Sequence, residues 1–264
     1  MMDITSAKAA TALLMQHWKD GTALAALPPS LRPTNREEAY AVQAQLEAMS
    51  DQPLFGWKIA ATSVAGQQHI GVDGPIAGRL LAEMVYRDGD TVPFGANRMR
   101  VAEAEFAFRM GRDLPPRQTP YELREVLDAV SELYLAIEIP DSRYVDFVTA
   151  GAAQLIADNA CAHRFVLGPQ APETWRQIDL ASHRVVGRVG ERLTRDGIGS
   201  NVLGDPRMAL TWLANELSTI GVTLAAGQTV TTGTCLVPLE IEPADTVLID
   251  FGVLGHVSCS FTDV

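Results

Sequence analysis

The chain has 264 residues, with 21 Lys plus Arg against 32 Asp plus Glu, a formal charge of −11, and 47% hydrophobic residues. That is the composition of a folded globular protein, long enough for one body to bury about three quarters of its unfolded surface. The acidic balance excludes a nucleic-acid backbone or an anionic membrane as an expected partner, because both need a basic face.

No apolar run approaches the roughly 20 residues of a membrane span. The opening MMDITSAKAATALLMQHWKDG lacks the separate basic and apolar blocks of a signal peptide. Cys161, Cys235 and Cys259 are widely spaced, with no CxxC, and read as buried free thiols of a cytoplasmic protein.

The first 54 residues read as helical. Ile4, Ala7, Leu14 and Trp18 share one side of a helix over residues 4–19, with Gly21 as its stop. LPPSLRP (27–33) breaks the pattern, and Thr34 with Glu37 forms a capping-box signature. Ala39, Val42, Leu46 and Met49 continue that second helix.

Residues 55–264 form a strand-rich body. FGWKIAATS reads as a strand and GVDGPIAGRL as a turn-rich loop, while RVAEAEFAFRM (100–110) and ELYLAIEI (132–139) alternate as strands do. Between those two, Thr119, Pro120, Tyr121 and Glu122 predict a helix start. A further helix runs from Asp205 and Pro206 to Gly221, with Met208, Trp212, Leu213, Leu217 and Ile220 as its buried stripe. The tail reads as three strands, QTVTTGT, DTVLIDF and HVSCSF. Helices do not alternate regularly with strands, which predicts an α+β fold rather than a doubly wound parallel sheet.

The informative residues are acidic. Glu103 and Glu105 share one face of VAEAEFAF while Ala104, Phe106 and Phe108 occupy the other, and Glu138 interrupts the apolar strand LAIEI. Carboxylates two apart on a strand have Cα atoms roughly 6.5–7 Å apart, close enough for both side chains to reach one cation. An all-oxygen set points to a hard divalent ion, Mg²⁺ or Mn²⁺, rather than zinc. The plainer reading of Glu103 and Glu105 is a solvated strand face. Lys58, between Trp57 and Ile59, is either a snorkelling edge residue or a group in a desolvated site whose pKa falls. No HxH, HExxH, Walker loop or G-x-S-x-G elbow is present, so elimination leaves metal-assisted chemistry.

The ordered segments GWKIAATS (56–63), GVDGP (71–75), AEAEFAF (102–108), AIEIPDSR (136–143), ADNA (157–160), VLGDP (202–206) and VTTGT (230–234) span nearly the whole chain. With them the sequence resembles the 2-keto-4-pentenoate hydratase and 4-oxalocrotonate decarboxylase family of the fumarylacetoacetate hydrolase superfamily. The resemblance implies a mixed β-roll with an N-terminal helical segment, a homo-oligomer, and a Mg²⁺ or Mn²⁺ site on Glu103, Glu105 and Glu138. It implies Lys58 as a substrate-binding or proton-transfer residue, and Ser63 with the Thr232–Gly233 loop as substrate-binding groups. Two positions depart from the family. Ile76 stands where an acid–base aspartate is usual, leaving Asp73, three residues earlier, as the candidate in its place, and Cys161 replaces a serine.

The implied activity is that of a carbon–oxygen lyase: metal-dependent hydration of a 2-hydroxy-dienoate or its 2-oxo-enoate tautomer. Decarboxylation of a vinylogous 2-oxo diacid is the nearest alternative, and a non-catalytic subunit of such a complex is a third. A C–C bond hydrolase is disfavoured, because no His–Glu pair sits near the motifs.

Overall fold

The computed structural model describes residues 2–263. Helix α1 (Ile4–Asp20) is capped by the Asp3 carboxylate, which accepts from the Thr5 and Ser6 amides, and it ends at the left-handed Gly21. Helix α2 (Arg36–Ala44) starts one residue later than the Thr34 box predicts. Asn35 Oδ1 accepts from the Glu38 amide at 2.9 Å, and Glu38 returns by accepting from Thr34 N and Oγ1. The helix also stops early. Met49 lies in a short 3₁₀ turn beyond it and is 49% exposed instead of continuing the stripe.

Strand β1 (Gly56–Ala60) leads into helix α3 (Val64–Ile70) and strand β2 (Ile76–Leu80). The turn-rich reading of GVDGPIAGRL is corrected here: all five β2 residues are buried and pair antiparallel with β1. Gly78 is not a turn signal. A Cβ there would strike the Asn159 carbonyl oxygen, so the glycine serves close packing.

Short strands β3 (Val85–Arg87) and β4 (Thr91–Val92) precede the long pair β5 (Val101–Met110) and β6 (Val130–Ile139). Helix α4 (Leu123–Leu127) lies between them and is capped by Glu122 in a reciprocal box with Glu125, not by Thr119. The Thr119 and Pro120 carbonyls accept from the Arg117 guanidinium, which holds that stretch as a loop. Helix α5 (Ala152–Ala157) and strands β7 (Arg164–Gln170), β8 (Arg184–Val189) and β9 (Leu193–Ile198) follow.

Helix α6 (Pro206–Thr219) has Asp205 as its cap. It buries Ala209, Leu210, Leu213, Ala214 and Leu217, while Met208 is 46% exposed and off the predicted stripe. Strands β10 (Thr229–Thr234), β11 (Leu239–Glu240), β12 (Thr246–Asp250) and β13 (His256–Phe261) complete the chain.

The strands form two mixed sheets. One runs β2-β1-β10-β5-β6-β7-β3 with β11 added to β5, and the other runs β4-β13-β12-β8-β9. Alternation along β5 divides its work. Phe106 and Phe108 enter the main core, where Phe106 meets Phe251 at 5.1 Å between ring centroids, and the glutamates face the other way. Ala7, Ala10 and Leu14 of α1 pack with Val42 of α2, Tyr144 and Ala157, so the helical segment covers the strand body beside α5.

Candidate metal and substrate site

Four neighbouring strands, β1, β10, β5 and β6, supply the site. Glu103 and Glu138 lie directly opposite each other in the β5–β6 ladder. One carboxylate oxygen from each of Glu103, Glu105 and Glu138 falls within 4.8 Å of the others. Oxygens on a single octahedral ion at about 2.0–2.1 Å lie roughly 3–4 Å apart, so a small side-chain adjustment closes the set around one cation.

Lys58 comes from β1, three interstrand steps from β6, and the register sets it level with Tyr134, four residues from Glu138, a backbone separation of about 19 Å on a flat sheet. Its Nζ nevertheless meets Glu138 Oε1 at 2.9 Å. The sheet therefore curls, and that curl brings lysine and carboxylates together.

The local devices are specific. The β10–β5 register shifts between Thr231 and Thr234, placing one extra residue on β10. This bulge turns the Gly233 amide toward Glu105 Oε2, to which it donates at 2.8 Å; the Thr231 hydroxyl donates to the same oxygen. Gly233 has φ +100°, and a Cβ there would collide with Thr62 Oγ1, so only glycine fits.

On the opposite side, Asn159, Ala160 and Cys161 are three consecutive left-handed residues, with φ of 57°, 51° and 60°. Ala160 and Cys161 each cost roughly 1–2 kcal/mol there, and Asn159 less. The run is held by Asn159, whose amide bonds both the Arg79 N–H and the Arg79 carbonyl, and by the buried Asp158–Arg143 pair. It presents the Ala160 carbonyl to Lys58 Nζ at 2.9 Å.

The electrostatics call for a cation. Glu105 and Glu138 are buried and Glu103 is half-buried. Glu105 Oε1 and Glu138 Oε2 have no hydrogen-bond donor, and Glu138 Oε1 meets Lys58 off the hydrogen-bond direction. Burial and the neighbouring Glu138 push the Glu103 carboxyl up to about 7, against the pull of Lys58, and the same causes push Glu105 well above the carboxylate range. Formally, three carboxylates and one ammonium sum to −3 + 1 = −2, which one divalent ion cancels. Orphaned carboxylate oxygens in an all-oxygen set fit a hard metal ion.

Lys58 is buried, not a snorkelling edge residue, yet its pKa does not fall as desolvation alone would require. Burial works to lower it, but Glu138, Glu103 and Glu105 outweigh that penalty and hold the ammonium above its ordinary range.

The site closes one end of a cavity of about 1030 Å³, lined by Lys58, Glu103, Ser63, Ile76, Cys161 and Gly233 among others. Ser63 caps α3, its Oγ accepting from the Gly66 amide, and it retains a proton to donate. The structure places the other candidate residues differently from one another. Thr232 is buried and its hydroxyl donates to the Phe106 carbonyl at 3.0 Å, away from the cavity. Gly233 lines the cavity, but its N–H is committed to Glu105. Asp73 is exposed in the turn before β2 and does not line the cavity, so the structure does not bring it to the glutamates. The residues that sequence reasoning missed are Thr231, one position from the named loop, and the Ala160 carbonyl. The Asp-Asn pair before Ala160 is the signal for the latter, since both residues tolerate left-handed backbone.

A curled mixed sheet carrying three converging glutamates and a buried lysine defines the class. The chain belongs to the fumarylacetoacetate hydrolase family, whose description, Fumarylacetoacetate (FAA) hydrolase C-terminal, matches residues 36–262. Within that family it is 33% identical to a 2-keto-4-pentenoate hydratase of Paraburkholderia xenovorans (strain LB400), over 94% of this chain and 92% of the relative. It is 33% identical to a 2-keto-4-pentenoate hydratase of Burkholderia vietnamiensis (strain G4 / LMG 22486), over the full length of both. Its fold superposes with a TM-score of 0.89, at 25% identity and 99% coverage of both chains, on 4-oxalocrotonate decarboxylase from Pseudomonas putida G7, complexed with magnesium and adipate.

Proposed function

We propose that this chain is a metal-dependent hydratase, a carbon–oxygen lyase that adds water to a 2-hydroxy-dienoate or its 2-oxo-enoate tautomer. The observation that carries the reading is the meeting of Glu103, Glu105 and Glu138 beside Lys58 at one end of a largely apolar cavity. Full-length similarity to hydratases supports it.

The three glutamates would hold Mg²⁺ or Mn²⁺, and Thr231 and the Gly233 amide orient Glu105 for that task. When bound, the ion supplies a Lewis acid that polarises the carboxylate and keto oxygens of an oxo-acid. Lys58, kept protonated and aimed by Glu138 and the Ala160 carbonyl, sets a positive charge where the substrate develops negative charge. Ser63 offers its hydroxyl proton to the substrate head. The apolar walls keep these interactions in a low dielectric. Three free buried cysteines agree with the cytoplasmic location in this reading, and a homo-oligomer is the assembly proposed with it.

One observation favours decarboxylation as a second reading. Ile76, not a carboxylate, lines the cavity beside β1, leaving fewer groups for proton transfer. The test is incubation of Mg²⁺- or Mn²⁺-loaded protein with 2-hydroxypenta-2,4-dienoate and, separately, with a vinylogous 2-oxo diacid. Loss of dienoate absorbance with a hydroxylated product supports hydration, carbon dioxide release from the diacid supports decarboxylation, and inertness toward both refutes both.

A further inference from the structure

Beyond the reacting end, the cavity is far larger than the chemistry needs. Volumes of roughly 300–1,000 Å³ hold drug-sized ligands, and this cavity, open to solvent on one side, measures about 1030 Å³. A five-carbon oxo-acid, with about eight non-hydrogen atoms, leaves most of such a space unfilled.

The charge along the walls is one-sided. Among the described residues lining the cavity, Lys58 is the only lysine or arginine, and its ammonium is already bound to Glu138 and to Ala160. Apart from it the walls are mainly apolar, with Ile70, Met99, Phe147, Leu203 and Leu236, and their polar members such as Gln67, Ser200 and Asn201 are neutral. A second carboxylate placed there loses its hydration with no cation to meet it. His69 is exposed and meets Phe147 edge-on at 6.0 Å, so it does not supply a buried charge.

The rim is apolar as well. Val64 and Val237 are 68% and 65% exposed, among the most exposed large hydrophobic side chains described. Helix α3, which forms one wall from Val64 to Ile70, contributes no fully buried residue. Its apolar side chains face a space that a ligand can fill.

We infer that the site selects a 2-oxo-enoate with a single carboxylate at the metal end and a bulky apolar tail running under α3 toward Val64 and Val237. Short five-carbon acids and α,ω-diacids are the poorer ligands. This inference rests on the proposed reading of the glutamate site for the position of the head group, and adds the specificity of the tail.

The experiment has a binding arm and a turnover arm. Calorimetry on Mg²⁺-loaded protein compares 2-oxopentanoate, 2-oxooctanoate and 2-oxosuberate, which cannot be hydrated and so report binding alone. At about fourfold per buried methylene, the eight-carbon monoacid binds roughly 50-fold more tightly than the five-carbon one. The diacid of equal length binds at least about tenfold more weakly than the octanoate analogue. Equal affinity across the tail series, or tighter binding of the diacid, overturns the inference.

In the turnover arm, kcat/KM is compared for 2-hydroxypenta-2,4-dienoate and its 5-propyl and 5-phenyl derivatives, the tailed substrates being favoured. If no dienoate turns over while the binding order holds, the hydratase reading fails and the tail inference stands. If all turn over with equal efficiency, the tail inference fails and the hydratase reading stands. Val237→Arg, at an exposed rim position, shifts the 2-oxosuberate to 2-oxooctanoate affinity ratio toward the diacid; an unchanged ratio overturns the placement of the tail.

Discussion

Replacing Glu103 by Gln separates the stability of the metal-free fold from its capacity for metal. The Glu103 carboxyl rises from 4.5 to about 7, because burial and Glu138 oppose its ionisation more than Lys58 favours it. At about 1.4 kcal/mol per pH unit, the ionised group costs the metal-free fold about 3 kcal/mol. The folded chain holds this proton more tightly than the unfolded chain between pH 4.5 and about 7. Stability of the metal-free protein therefore falls as pH rises through that window.

An amide of the same shape removes the penalty. Metal-free Glu103→Gln is then more stable than the parent at pH 8 by about 2–3 kcal/mol, or roughly 5–10 °C in Tm for a chain of this size, with the difference vanishing below pH 4.5. With metal the order changes. The parent gains about 2.7 kcal/mol at a metal concentration one hundred times Kd, whereas the variant, short of one ligand, gains little. Thermal unfolding from pH 4 to 8, with chelator and with millimolar Mn²⁺, measures all four states. A metal-free variant less stable than the parent at pH 8, or an equal metal-induced gain in both proteins, refutes the proposed cluster.

Lys58→Met is expected to lower kcat by about 10²–10³-fold while metal-induced stabilisation is kept or increased, because a positive charge 2.9 Å from Glu138 is gone; paired activity and unfolding assays read this. Thr231→Val leaves Glu105 Oε2 with the Gly233 amide alone, and metal affinity measured by titration is expected to fall about 10–100-fold. Asp73→Asn, at an exposed position off the cavity, should leave kcat/KM within about threefold and stability within about 0.5 kcal/mol. A hundredfold loss would restore Asp73 as an acid–base group.

Much of the molecule was legible in one dimension because periodicity and caps are local. Strand alternation separated Glu103 and Glu105 from Phe106 and Phe108, and the caps Asp205 and Gly21 marked helix ends where the structure has them. Local signals failed where two readings competed at one position. Thr34 and Asn35 both cap well, and Glu38 rather than Glu37 decided between them. Gly78 looked like a turn residue because sequence does not reveal that another segment's backbone, Asn159, needs the missing Cβ space. Strands β7, β8 and β9 carry charged and glycine residues that blur the alternation.

The sequence by itself determined which side chains are chemically out of place: three glutamates and a lysine set in apolar strands, where burial is costly without a partner. Only the tertiary structure decided that they are one another's partners. Lys58 and Glu138 are 80 residues apart in the chain and meet because the sheet curls across three strand spacings. The structure likewise decided which neighbours serve the site. The β10 bulge commits Thr231 and Gly233 to Glu105 while turning Thr232 away, and the left-handed turn aims the Ala160 carbonyl at Lys58. The reason is geometric: curl, bulge and backbone handedness set side-chain direction over distances that residue spacing along the chain does not encode.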